Sequence, residues 1–188
     1  MHDPSRCTAT FNLEAVLQLT CGQVSQLCYK HKHLMYNITV YESPSARGRF
    51  YLWTEVDSHK GSDEIETCFL IYFRALPTTI SKVDIFSDNC GRQNKNIQVV
   101  AVCLYAVNTI DHLQEIQHTF LETSHTQMEC DSVHSAIEHA KKLIKVHSIG
   151  QWVGILTMAR RKKPVQSFPL TVLRLLRFEG TCNGYSFK

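Results

Sequence analysis

The chain has 188 residues, 44% of them apolar, which suits one domain with a sizeable core. Twenty basic against 17 acidic residues leave a net charge of +3, so bulk charge alone gives no argument for a polyanionic partner. Sparse Pro and Gly (5 and 8), the lack of repeats and eight scattered cysteines exclude collagenous, low-complexity and disulfide-framework proteins.

Those cysteines (Cys7, Cys21, Cys28, Cys68, Cys90, Cys103, Cys130 and Cys182) contain no CxxC pair, a scatter expected of reduced thiols. The first residues lack the apolar core of a signal peptide, and no apolar run nears the roughly 20 residues of a membrane span. An intracellular protein is therefore expected, nuclear or cytoplasmic rather than secreted, with no membrane partner.

Residues 8–17 predict a strand with Phe11, Leu13 and Ala15 on one face and Thr10, Asn12 and Glu14 on the other. After a loop around Cys21-Gly22, residues 34–41 predict a second strand, Tyr36, Ile38 and Val40 alternating against Asn37 and Thr39. Cys21, Cys28 and His31 offer a weak candidate zinc set without paired CxxC spacing, and the glycosylation triplet Asn37-Ile-Thr39 falls inside a strand. A Pro/Gly turn at 44–48 leads into a third strand, 49–56, with Phe50, Tyr51, Leu52 and Trp53. Two aromatic-rich strands across so short a turn predict an antiparallel hairpin.

The period then changes. Ser62 before Asp63-Glu-Ile-Glu66 is a capping signal, Ile65, Phe69, Tyr72 and Phe73 form a helical stripe, and Pro77 ends it. Residues 83–87 predict a short strand that breaks at Asp88-Asn-Cys-Gly91. Residues 96–107, with Val99, Val100, Val102, Leu104 and Tyr105, are apolar nearly all round and predict a buried helix. A strand at 116–121 precedes an amphipathic helix at 131–144, with Val133, Ile137, Ala140 and Ile144 inward; a last helix is expected over 151–160, before a Pro164-interrupted tail.

Three strands followed by alternating helices and strands imply an α/β protein, a mixed sheet with helices on both faces. That element order is also the order of the RNase-H-like fold. It divides the chain into a core over 1–147 and, over 148–188, a C-terminal helix and basic tail packed on or extending it.

Asp88 and Asp131 each follow an apolar run where a helix is about to begin. Ligand-binding groups gather at carboxyl ends of strands in open α/β sheets. Read singly, Asp88 opens an Asx turn toward Gly91 and Asp131 caps a helix. Read together, they fit two carboxylates of a site holding two hard cations ~3.5–4 Å apart, Mg2+ or Mn2+ by ligand type. Glu129 competes with Asp131, and His125 and His134 lie near enough to orient water or phosphate or to serve packing alone.

Gly91-Arg92-Gln-Asn-Lys95 opens a helix and offers backbone amides to a phosphate. No GxxxxGK[ST] or GxSxG pattern occurs, so no nucleotide cofactor and no such acyl-transfer site are expected. The C-terminal quarter is basic (Lys141, Lys142, Lys145, Arg160, Arg161, Lys162, Lys163, Arg174, Arg177), either a phosphate-facing surface or a solvated face.

Six segments together carry a family resemblance: Phe11-Asn-Leu-Glu-Ala-Val-Leu17, Tyr29-Lys30, Tyr36-Asn-Ile-Thr-Val-Tyr41, Gly61-Ser-Asp-Glu-Ile65, Phe86-Ser-Asp-Asn-Cys-Gly91 with Gln93, Asn94 and Asn96, and His125 through Glu138. With Trp152 and Ala159-Arg-Arg-Lys-Lys-Pro164, the chain resembles a family of transposon-derived animal proteins catalogued as a domain of unknown function. Its core is similar to the RNase-H-like catalytic domain of DDE transposases and integrases.

The resemblance implies Asp88 as second acid, Asp131 as third, and the first on a Phe-Asp-Leu strand, where this chain has Asn12. Thr54, Arg92 and Ser124 also depart from the pattern; Ser124 replaces a permissive glycine. Glu14 shares the face of Asn12, but about 6.6–6.8 Å further along the strand. Longer family members carry additional sequence before this region, so a catalytic core alone is implied.

The resemblance thus implies a degenerate nuclease-like core impaired at Asn12, with DNA as partner through Arg92, Lys95 and Arg160, Arg161, Lys162 and Lys163. The alternatives are an active Mg2+- or Mn2+-dependent enzyme using Asp88, Asp131 and Glu14, and a non-catalytic scaffold.

Overall fold

In the computed structural model the described residues are 3–13, 16–18, 34–43, 45, 47–56, 62–90, 94–122, 128–141, 144, 146–158 and 166–168. Alternation of side chains along the strands decides the architecture. On β1 (Arg6–Leu13), Cys7, Ala9 and Phe11 face one way and Thr8, Thr10 and Asn12 the other. A two-residue strand β2 (Leu17–Gln18) pairs with β3 (Leu34–Glu42), which runs antiparallel to β1 with Asn12 opposite Thr39. β4 (Arg47–Thr54) closes the expected hairpin, antiparallel to β3 from Met35↔Thr54 to Glu42↔Arg47.

After α1 (Ser62–Arg74), β5 (Lys82–Asp88) adds parallel to β1 on its other side. α2 (Ile97–Thr109) then crosses to β6 (Glu115–Leu121), parallel to β5. α3 (Glu129–Lys141) and α4 (Ile149–Met158) follow, and β7 (Gln166–Phe168) lies parallel to β4. The result is an open, mixed sheet of seven strands in the order β6-β5-β1-β3-β4-β7, with β2 beside β3. β1, which both meander and crossovers join, is therefore central.

Two cores form on the two faces. Phe11, Ile38, Val40, Tyr51, Val83 and Ile85 pack with Phe69, Tyr72 and Phe73 of α1 and Val99, Val102 and Ala106 of α2. Met35, Tyr41, Phe50 and Leu52 pack with Val133 and Ile137 of α3 and Trp152, Ile155 and Leu156 of α4. Burial of this apolar surface on both faces is the main stabilising term, about 25 cal/mol per Å2 removed from water. Because both faces are covered, β3 is buried from Met35 to Glu42, and Asn37 and Thr39 lie fully inside. The Asn37 glycosylation triplet is thus interior.

β1 is described over Arg6–Leu13, and Leu17 of the expected strand lies in β2. Two expectations need correction. Ile144 is exposed, because α3 ends at Lys141 before the stripe reaches it. α2 is not buried all round: Val99, Val102 and Ala106 face the core while Ile97, Val100 and Leu104 are exposed. Of the sites named from sequence, Glu14, Arg92, His125, Arg160, Arg161, Lys162 and Lys163, and the Cys21, Cys28 and His31 group, lie outside the described residues.

Candidate functional site

Strand register brings Asn12 and Asp88 to one end of the sheet. The parallel β1–β5 ladder runs from Arg6↔Lys82 to Thr10↔Phe86, and both residues stand two places further on, at the carboxyl ends of neighbouring strands. They also share a face. Val83, Ile85 and Ser87 point into the α1–α2 side, so Asp84, Phe86 and Asp88 point to the α3 side, as Thr10 and Asn12 do.

α3 supplies the third group. Cys130 is fully buried, its Sγ 3.1 Å from both the Thr10 carbonyl oxygen and Thr10 Oγ1, and this fixes the first turn of α3 on β1. One residue later, Asp131 Oδ1 accepts a 3.0 Å hydrogen bond from Asn12 Nδ2, and its Oδ2 accepts from the Met128 N–H at 3.1 Å. Asp131 is not the N-cap itself. It is the third helical residue reaching back to the amide before the helix, the reciprocal half of a capping box. Glu129, its rival in sequence, is exposed and accepts from Ser43 Oγ at 3.3 Å, away from Asn12.

Asp88 is held by the turn that follows it. Its Oδ1 accepts from the Cys90 N–H at 3.2 Å, the Asx turn foreseen as one reading, and also from Asn94 Nδ2. The Asn94 and Lys95 N–H groups both donate to the Cys90 carbonyl, at 2.8 and 3.1 Å, which folds Asn94 back over Asp88. Asn96 then caps α2, its Oδ1 accepting from the Val99 N–H at 2.9 Å. In the sequence Asn94 stands out only as part of a motif. Its spacing of six from Asp88 gives no sign that an amide would close on that carboxylate.

His134 lies one turn along α3, with Nε2 2.9 Å from Thr39 Oγ1. Burial pushes its pKa down to about 4, against an upward pull from Asp131, so the ring is neutral at pH 7 and ties α3 to β3. Lys95 is exposed, Nζ 5.7 Å from the Phe120 ring centre.

Two hard cations need several anionic oxygens around them. Here Asp131 and Asp88 each accept two N–H donors, and Asn12 brings an amide N–H where an acid would bring an oxygen. The amide orientation follows from chemistry, since the reverse would set its oxygen against a carboxylate oxygen. No group of three His, Cys, Asp or Glu able to hold a metal occurs among the described residues. The residues present do not fit a two-cation clamp. No helix among them is long and apolar enough to cross a membrane.

Fold and site define a mixed α/β domain with two amide-capped aspartates at one end of its central strands. The chain belongs to the DUF7869 family, a domain of unknown function, whose family model matches residues 44–168. That span contains Asp88, Asn94, Asp131 and His134 and begins after β3, so Asn12 lies outside it. No curated protein and no solved structure matches the chain.

Proposed function

We propose that this domain is a degenerate DDE transposase- or integrase-like core of transposon origin, catalytically impaired at Asn12, that keeps weak affinity for DNA. One observation carries the reading: Asn12, Asp88 and Asp131, chosen from motif resemblance, come from three separated segments to one face at one end of the sheet. Parallel topology alone brings strand ends and helix starts to one edge; the shared face and the direct Asn12–Asp131 contact are what support the reading. The element order, three antiparallel strands and then alternating helices and parallel strands, is the order expected of an RNase-H-like core and supports the same reading.

Under this reading Mg2+ or Mn2+ is the ancestral cofactor, and the missing charge at position 12 weakens its retention. In a core with all three acids, positions 12, 88 and 131 would hold the ions and these would supply charge to a phosphodiester, so losing one of three carboxylates disables turnover before it abolishes DNA binding. Lys95 and the basic segment Arg160-Arg-Lys-Lys163 are the contacts assigned to phosphate.

The test is a nicking and binding experiment on supercoiled and duplex DNA with Mg2+ or Mn2+. The expected outcome is no nicking above that of Asp88→Ala, with binding that weakens steeply as salt rises, since each phosphate contact releases counterions. Metal-dependent nicking abolished by Asp88→Ala would show an active enzyme. Absence of DNA binding at low salt would overturn the reading in favour of a protein-binding scaffold, for which the exposed Ile97, Val100 and Leu104 of α2 offer an apolar surface.

A further inference from the structure

Asn12 and Asn94 do the same thing from different elements. Each aims an amide N–H at one aspartate of the sheet end: Asn12 on β1 at Asp131, Asn94 in the turn before α2 at Asp88. Asn94 is 1% exposed, and its Oδ1 is buried without a hydrogen-bond partner among the described residues. A buried amide oxygen left unpaired is unfavourable, so the side chain is not oriented by its own full satisfaction. What fixes it is the carboxylate of Asp88, for which an N–H gives a charge-assisted bond.

We propose that Asn12 is an uncharged stand-in for a divalent cation, making this sheet end a latent metal site that its amide keeps satisfied without metal while Asn94 holds Asp88 in place. The inference rests on the reading of Asn12, Asp88 and Asp131 as one constellation, but not on DNA cleavage or binding. Each amide presents partial positive charge to an aspartate and needs no metal. Asn12→Asp would instead set a second carboxylate about 3.0 Å from Asp131 Oδ1, judged from the present amide contact. Two carboxylates that close are relieved by a shared proton or a hard cation.

The experiment is thermal unfolding of the full chain in EDTA and in excess MnCl2, with Mn2+ electron paramagnetic resonance as a direct readout of binding. The parent is expected to melt at the same temperature in both and to leave the free-Mn2+ signal unchanged. Asn12→Asp should melt about 2–8 °C lower in EDTA, recover in Mn2+ and deplete the free-ion signal. Adding Asp88→Asn to it should remove that response. Asn94→Ala should lower the melting temperature in both media alike, as a lost holding contact does. If Asn12→Asp does not fold in EDTA, refolding it from urea into MnCl2 gives the same comparison.

Two results would overturn the proposal. Mn2+ binding by the parent that Asn94→Ala abolishes would make the amides ligands and Asn12 no stand-in. No Mn2+ response from Asn12→Asp in either readout would mean that no latent site exists. Neither depends on DNA, so a failed nicking or binding assay leaves this inference standing, and its failure leaves the DNA assay to be judged alone.

Discussion

His134 and His118 are half-buried neutral bases, and their titration should dominate the acid limb of stability. Burial lowers both to about 4, with His118 Nε2 also 2.9 Å from Ser87 Oγ. Unfolded imidazoles titrate near 6.5. Between about pH 6.5 and 4 the unfolded chain therefore binds more protons, so stability falls as pH drops through that window.

Glu66 has the opposite sign. Burial first, then Asp63 and Glu64, raise it to about 7, so the folded state holds that proton more tightly than the unfolded chain. This term adds stability as pH falls from about 7 toward 4.5. Two melts check the signs. His134→Gln keeps a polar partner for Thr39 and should remove about 1–2 kcal/mol of the stability lost between pH 7.5 and 5. Glu66→Gln should stabilise at pH 8 by on the order of 1 kcal/mol, discounted because the side chain is partly solvated, and by nothing at pH 4. Unchanged acid slopes in both variants would place the titrating groups elsewhere.

The strands and helices were readable where a period met a physical stop. The antiparallel hairpin β3–β4 followed from two alternating aromatic runs across a Pro/Gly turn, and α1 from a stripe closed by Pro77. α2 departs from the expected all-round burial because an apolar sequence reports composition but not how many neighbours a helix has. It has the sheet and α1 on one side, so Val99 and Val102 are buried while Ile97 and Leu104 face out at 70% and 50% exposure. Asp88 and Asp131 were legible as acids at the ends of apolar runs. The Asn12–Asp131 bond depends on how α3 seats on β1 through Cys130, a tertiary contact across 119 residues that no local pattern encodes. The two sides of α2 can be told apart by substitution. Leu104→Lys should change stability by no more than ~0.5 kcal/mol, whereas Val102→Ala should cost about 1–3 kcal/mol from lost burial and the cavity left behind. Equal costs in denaturant melts would mean that Leu104 is covered.

The sequence placed a boundary near residue 147, with the last helix packed on or extending the core, and the packing of α4 bears on how the chain unfolds. Trp152 is fully buried among Ile155, Leu156 and the α3 residues Val133 and Ile137, on the face that carries Asp131. Its Nε1 donates to the Gln18 carbonyl at 3.2 Å, and Lys141 Nζ lies 5.8 Å from its ring centre. α4 is thus joined by one side chain to β2, to α3 and to the core beneath β3 and β4. A helix held this way should unfold with the sheet rather than before it. Trp152→Ala should cost about 3–5 kcal/mol, a large part of a typical domain's 5–15, and should lower the melting temperature without splitting the transition. Circular dichroism and calorimetry on this variant decide the point. Coincident transitions make α4 part of one cooperative unit with the Asn12–Asp131 end of the sheet. An early transition of helical signal, with the remaining melt unchanged from the parent, would separate α4 from that unit.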